Sequence, residues 1–267
     1  METLFWHLHI YRLLVAQYMK KRMQYRVDYV VNILGGIIDS LAKLFTIWLI
    51  FQSIPNLQGW NFYELLFFLG FFQAAMLPYG MIFPAFWELS GDIWSGNFIN
   101  YYFRPLNMMF YYASKQFGLQ GPLISFSIAI VMLAYAGAHL AIHWTVWTLL
   151  LLILNWFSSS LIIASILIGG MTMSFWIINA GWLTMVLSAI RDNSQYPLTI
   201  FNKAFQIVFT FIIPIGFITY YPCLPLLRPA SEVPLAAWFS PVVGFVIFYL
   251  VYQLWKKGVN HYSGTGS

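Results

Sequence analysis

The sequence predicts an all-α membrane protein: a polytopic bundle of six transmembrane helices, with an N-terminal amphipathic interfacial helix and a proline-rich re-entrant region before the last span. Three observations carry this reading. Of 267 residues, 61% are hydrophobic and only 8% charged, whereas roughly a quarter of a soluble domain is charged. The apolar residues fall in runs of about 20, the length that crosses a bilayer. The basic residues gather at the ends of those runs, which makes the net charge of +5 a set of topology signals; no nucleic-acid partner is expected.

Residues 1–28 mix Phe5, Trp6, Ile10, Leu13 and Leu14 with Arg12, Lys20, Lys21 and Arg22. The apolar positions recur at helical spacing, but the segment is too polar to span. It is expected to lie in the headgroup region, with Lys20, Lys21 and Arg22 toward anionic membrane lipid. These charges follow an apolar-aromatic stretch, the reverse of a cleavable signal. Residues 29–260 form the transmembrane domain, and 261–267 a tail whose Gly264–Ser267 reads as an appended sequence.

Tyr29–Gln52 is the first expected span. It carries Asp39 and Lys43 one helical turn apart, acid before base, an order that lets them pair. Charges at membrane depth are costly, so this intramembrane pair is either a structural tie inside the bundle or a gate. Ser53–Asn61 is a polar turn. Phe62–Phe83 is the second span, with Glu64 near its start and a kink expected at Pro78.

Ser90–Asn107 is the longest central stretch unsuited to lipid. Pro84 can begin a helix. Glu88 and Asp92 stand at i,i+4 beside apolar Phe86, Trp87, Ile93 and Trp94, which predicts a short amphipathic helix ending in a glycine turn. Its polar side is expected to dock on a partner or to face water along the membrane. Arg104-Pro105 stops the segment.

Gln116–Gly137 is the third span. His139 and His143 follow at a spacing that would share a helix face, but no acidic or thiol ligand completes a metal site, and HExxH is absent. Trp144–Ile190 carries no charge and is long enough for two spans. Counting it as one span plus a non-spanning piece, with both termini cytoplasmic, puts eleven of the thirteen basic residues inside; counting it as two reverses that. Tyr196–Tyr221 holds the fifth span, broken by Pro214. Six of the twelve prolines fall between Pro214 and Pro241. Such density predicts short helices that dip and return, tolerated where protein or water satisfies the backbone. Phe239–Leu254 is the sixth span, ended by Lys256-Lys257. The lone Cys223 excludes an internal disulfide and a cysteine metal site.

Three stretches carry a family likeness: the N-terminal amphipathic segment, IWSGNFINYYFRPLN (Ile93–Asn107) with its Arg-Pro-Leu ending, and Arg191-Asp192 followed by FIIPIGFITYYP (Phe211–Pro222). With these the chain resembles the membrane subunit of an ABC-2-type transporter, in particular the bacterial ABC-2 proteins grouped with multidrug and viologen-type exporters. Asn97 departs from the acidic residue that relatives often carry after the loop glycine. The resemblance implies a permease that pairs with an identical or homologous subunit and exports a hydrophobic or amphipathic substrate across the cell membrane. Energy would come from separate ABC ATPase subunits, which would bind the ATP and Mg; no cofactor is expected in this chain. Glu88, Asp92, Trp94 and Arg104 would form the ATPase-coupling loop. The chain has no GxxxxGK[ST] phosphate loop, so no ATPase activity of its own is expected. The alternatives are a stand-alone carrier coupled through Asp39–Lys43, or an intramembrane lipid-modifying enzyme using His139 or His143.

Overall fold

The computed structural model describes Arg12, Leu13, Ala16, Lys20 and residues 26–54, 56–103, 106–118, 120–140, 142–177 and 180–262. These residues form helices joined by turns, with no strand beyond an isolated bridge between Leu57 and Trp60. Among them, five helices are long and apolar enough to cross a membrane. They are α1 (Arg26–Ser53), α2 (Phe62–Ile82), α6 (Gln120–His139), α7 (Val146–Thr172) and α11 (Leu235–His261). Between α2 and α6 lie α3 (Leu89–Trp94), α4 (Ile99–Tyr102) and α5 (Met108–Ala113). Between α7 and α11 lie α8 (Leu183–Asn193), α9 (Lys203–Ile207) and α10 (Tyr220–Leu227). The predicted interfacial helix falls almost wholly outside the described residues, as do Lys21, Arg22 and Arg104. Lys20 is helical and exposed, and the first long helix already begins at Arg26.

The bundle centres on α2 and α7. About 72% of the apolar window of α2 is buried, against 11% for α1, so α1 attaches from outside while α2 is enclosed. Asn61 starts α2 through a reciprocal box: its side chain accepts from the Glu64 amide, and the Glu64 carboxylate accepts from the Asn61 amide. Together they satisfy two of the donors that a helix start leaves open. Pro78 lies inside α2. A proline supplies no N–H and disturbs the ladder around it. Helix α7 meets the exposed groups: the Trp156 indole donates to the Ala74 carbonyl at 2.7 Å, and the Tyr79 amide donates to the Ser160 hydroxyl at 3.0 Å. In hydrocarbon, such groups must find protein partners.

On another face of α7, Ser158 donates to the Ser240 carbonyl at 2.5 Å and accepts from the Gly244 amide at 3.0 Å. A Cβ at Gly244 would overlap the Ser158 carbonyl. The absent side chain therefore lets α7 and α11 touch backbone to backbone, as small residues do in membrane bundles. The stretch Trp144–Ile190 forms one long helix and, after Trp176, the separate short helix α8, whose Leu187 packs on Gly170. Residues 194–234 form no long helix. They run through turns, a π-helical piece at Val208–Ile212 and the eight-residue α10.

Candidate functional site: the loop between the second and third long helices

Residues 84–118 leave the end of α2, turn and enter α6. Pro84 opens a 3-10 turn through Glu88, and α3 continues it, so the expected amphipathic helix is a composite of two short pieces. It ends at Gly96, whose φ of +74° suits a residue with no Cβ. Fully buried Phe86 and Phe98 fasten the loop to the ends of α7 and α11. Phe86 meets Tyr112 and Trp255 edge-on at 5.2 Å. Phe98 meets Phe175 at 5.2 Å and Tyr262 at 5.0 Å. Edge-to-face pairs add to the stabilisation from area burial, which makes this layer the anchor of the loop.

The polar side of the composite helix is turned toward the chain itself. Lys115 sits between Glu88, at 2.7 Å, and Asp92. The Tyr112 hydroxyl donates to the Asp92 carboxylate at 2.7 Å, and the Gln116 amide donates to Glu88. Both acids predicted to face a partner are thus held by one intramolecular cation and two neutral donors, with Asp92 largely buried and Glu88 half exposed. Burial alone would raise the Glu88 carboxyl, but the hydrogen bond and charge of Lys115 outweigh it and hold the group below its ordinary value. Burial works against the Lys115 ammonium, and the two carboxylates reverse that, leaving its pKa raised. The Tyr112 hydroxyl is pushed upward by burial and then by the Asp92 charge, so it stays a donor.

The largest side chains that the loop presents outward are apolar, set among exposed Ser95, Asn97 and Asn100. Trp94 is 66% exposed and Phe103 76%, with Ile99 between them. A second contact ties the loop to α8. The Trp87 indole donates to the Tyr79 hydroxyl at 2.6 Å, while the Arg191 guanidinium lies 5.7 Å from the Trp87 ring and binds Asp192 at 2.9 Å. Arg191-Asp192 is therefore part of a node joining α2, the loop and α8.

The other predicted residues lie elsewhere. Asp39 and Lys43 do pair, at 2.6 Å, but Asp39 is exposed on the outer face of α1. The pair sits at the edge of the bundle, with Lys43 mostly covered and Asp39 on the open side of α1. His139 ends α6 and stacks on Tyr63 with ring centres 4.4 Å apart. His143 comes after the helix has stopped, so the two do not share a helix face. Among the described residues no three His, Cys, Asp or Glu side chains gather as a metal site.

Sequence reasoning missed Lys115, Tyr112 and the buried pair of Glu64 with Arg228. Arg228 also lies over the Trp60 ring at 4.4 Å. Lys115 was open to discovery as one of two cations, with Arg104, that follow the two unpartnered acids before the next span. Arg228 lies 164 residues from Glu64, and no local pattern spans that distance.

Among known proteins, the family described as ABC-2 family transporter protein matches residues 37–266. No curated protein and no solved structure matches the chain.

Proposed function

Because the chain belongs to the ABC-2 transporter family and is a multi-pass membrane permease, we propose that it is the transport subunit of an exporter driven by separate ABC ATPase subunits. Permeases of this family generally work with such subunits. ATP and Mg bind to those partners, and two permease subunits, identical or homologous, enclose the path. The cargo is hydrophobic or amphipathic, in keeping with a chain that is 20% aromatic and 8% charged. The protein resides in the cell membrane with both termini in the cytoplasm. Of its six crossings, the fifth is assembled from the short pieces between Tyr196 and Tyr221, and the proline-rich stretch before the last span dips into the membrane and returns.

The observation that carries this reading is the loop of residues 84–118. It is anchored by buried aromatics, stiffened by Lys115 between two acids, and topped by exposed Trp94, Ile99 and Phe103. Exposed aromatics over a rigid base fit the central anchors of a protein interface. In this reading Trp94, with Ile99 and Phe103, inserts into the ATPase. Glu88 and Asp92 keep the loop stiff enough to pass force on, and Arg104 belongs to the same coupling loop. The Tyr79–Trp87–Arg191 node then carries the displacement to α2 and α8. Coupling requires the ATPase to favour one arrangement of these elements over another, since equal binding to both shifts nothing.

The test is whether an ABC ATPase co-purifies with this chain from its native membrane, followed by ATP hydrolysis in the reconstituted complex. Trp94→Ala with Phe103→Ala is expected to release the ATPase. Glu88→Lys with Asp92→Lys is expected to keep the complex but lower substrate-stimulated hydrolysis. A chain that purifies alone and transports without ATP would overturn the proposal.

A further inference from the structure

A groove of about 420 Å³ lies between the end of α2, α5 and the second half of α11. That volume falls within the roughly 300–1,000 Å³ typical of small-ligand sites. Phe83, Met109, Phe110, Phe248, Tyr249 and Tyr252 line it. Phe110 and Tyr249 are exposed along its rim. Its polar edge is confined to one end. There the Tyr252 hydroxyl accepts from the Asn107 side-chain amide at 2.8 Å, and the Lys256 ammonium stands over the Tyr252 ring at 4.9 Å.

Lys256 is exposed, and among the described residues no carboxylate pairs with it. Helices α2 and α11 both end beside the loop of residues 84–118, so the groove opens where the chain leaves hydrocarbon. An open apolar groove with an unpaired cation at its membrane-surface end suits an acyl chain with a negative head.

We propose that this groove is a binding site for a single anionic phospholipid of the loop-side leaflet. Its acyl chain lies along Phe83, Phe110 and Phe248, and its phosphate meets Lys256. The ligand packs α5 of the loop against α11, so the site joins the loop to the last long helix. A lysine beside an anionic headgroup is worth about fivefold in affinity, and the groove supplies the remainder by burying methylenes.

The test uses the full-length chain in phosphatidylcholine vesicles carrying a trace of spin-labelled lipid. Labelled phosphatidylglycerol is expected to show a larger motionally restricted component than labelled phosphatidylcholine. Lys256→Gln is expected to cut that excess about fivefold, while Lys257→Gln, one residue along, leaves most of it. Ala113→Leu, which narrows the groove, is expected to reduce the restricted component for both lipids. No excess for phosphatidylglycerol in the unaltered chain would overturn the site. Equal losses in Lys256→Gln and Lys257→Gln would overturn it too, by showing only diffuse surface charge. Tyr249→Cys chains that disulfide-link to one another in high yield would show a second copy covering the groove, which also excludes the lipid.

Discussion

Replacing Lys115 by Met should loosen the loop while leaving the five long helices in place. Lys115 loses a strong charged contact to Asp92, whose carboxylate is only 13% exposed, and a weaker one to Glu88, at 51%. A hydrogen bond to a charged group contributes about 1.5–3 kcal/mol. The Glu88 contact, screened by solvent, adds at most a few tenths. Asp92 keeps the Tyr112 hydroxyl, which offsets part of the loss. The sum is about 2 kcal/mol, or roughly a 30-fold rise in the opening equilibrium of the loop. Hydrogen exchange of the Leu89–Trp94 amides reads this directly, with the amides of α7 as an internal standard. Adding Asp92→Asn to Lys115→Met should restore half or more of the lost protection, because the buried carboxylate is no longer left as an uncompensated charge. Less than a threefold change in exchange on Lys115→Met would refute the claim that this cation stiffens the loop.

The same contacts set a pH window. The Glu88 carboxyl is lowered in the folded chain, so its contribution is present above the ordinary glutamate value of about 4.3 and is lost as pH falls through the lowered value. The Lys115 ammonium is raised, so its contribution is complete below the ordinary lysine value of about 10.4 and is lost as pH rises through the raised one. Exchange of the loop amides, corrected for intrinsic rate, should therefore be flat across neutral pH and rise only at the two ends. Gly244→Ala should lower thermal stability in detergent by the equivalent of about 1–3 kcal/mol, since its Cβ would overlap the Ser158 carbonyl. Gly35→Ala, where nothing lies near the added carbon, should leave the melting temperature unchanged or raise it.

The long apolar helices were legible because burial in lipid demands an uninterrupted apolar run, and that demand is local. Pro78 was legible as a disturbance but not in its repair, since Trp156 and Ser160 reach it from a helix some 80 residues away. At the loop, spacing correctly put Glu88 and Asp92 on one side of a helix. It could not say which way that side points, because the answer depends on Lys115 returning after a bend. Treating a polar face as a solvent face serves for Glu88, which is half exposed, but not for Asp92, which a cation folding back onto the helix covers. His139 and His143 show the reverse error: i,i+4 spacing implies a shared face only while the helix continues, and this helix stops at His139. Residues 194–234 resisted detailed reading because proline density tells where a helix cannot run, not where the chain goes instead.

Helix α1 touches its neighbours along one edge and leaves most of its surface bare, with Asp39 on the open side and Lys43 reaching back to it at 2.6 Å. A lone carboxylate on a lipid-facing surface is costly, and the opposite charge one turn away cancels it within the same helix. The tie therefore needs no second helix to make this span tolerable in hydrocarbon. A chain with Lys43 neutralised should insert into the bilayer less efficiently, before any question of transport arises.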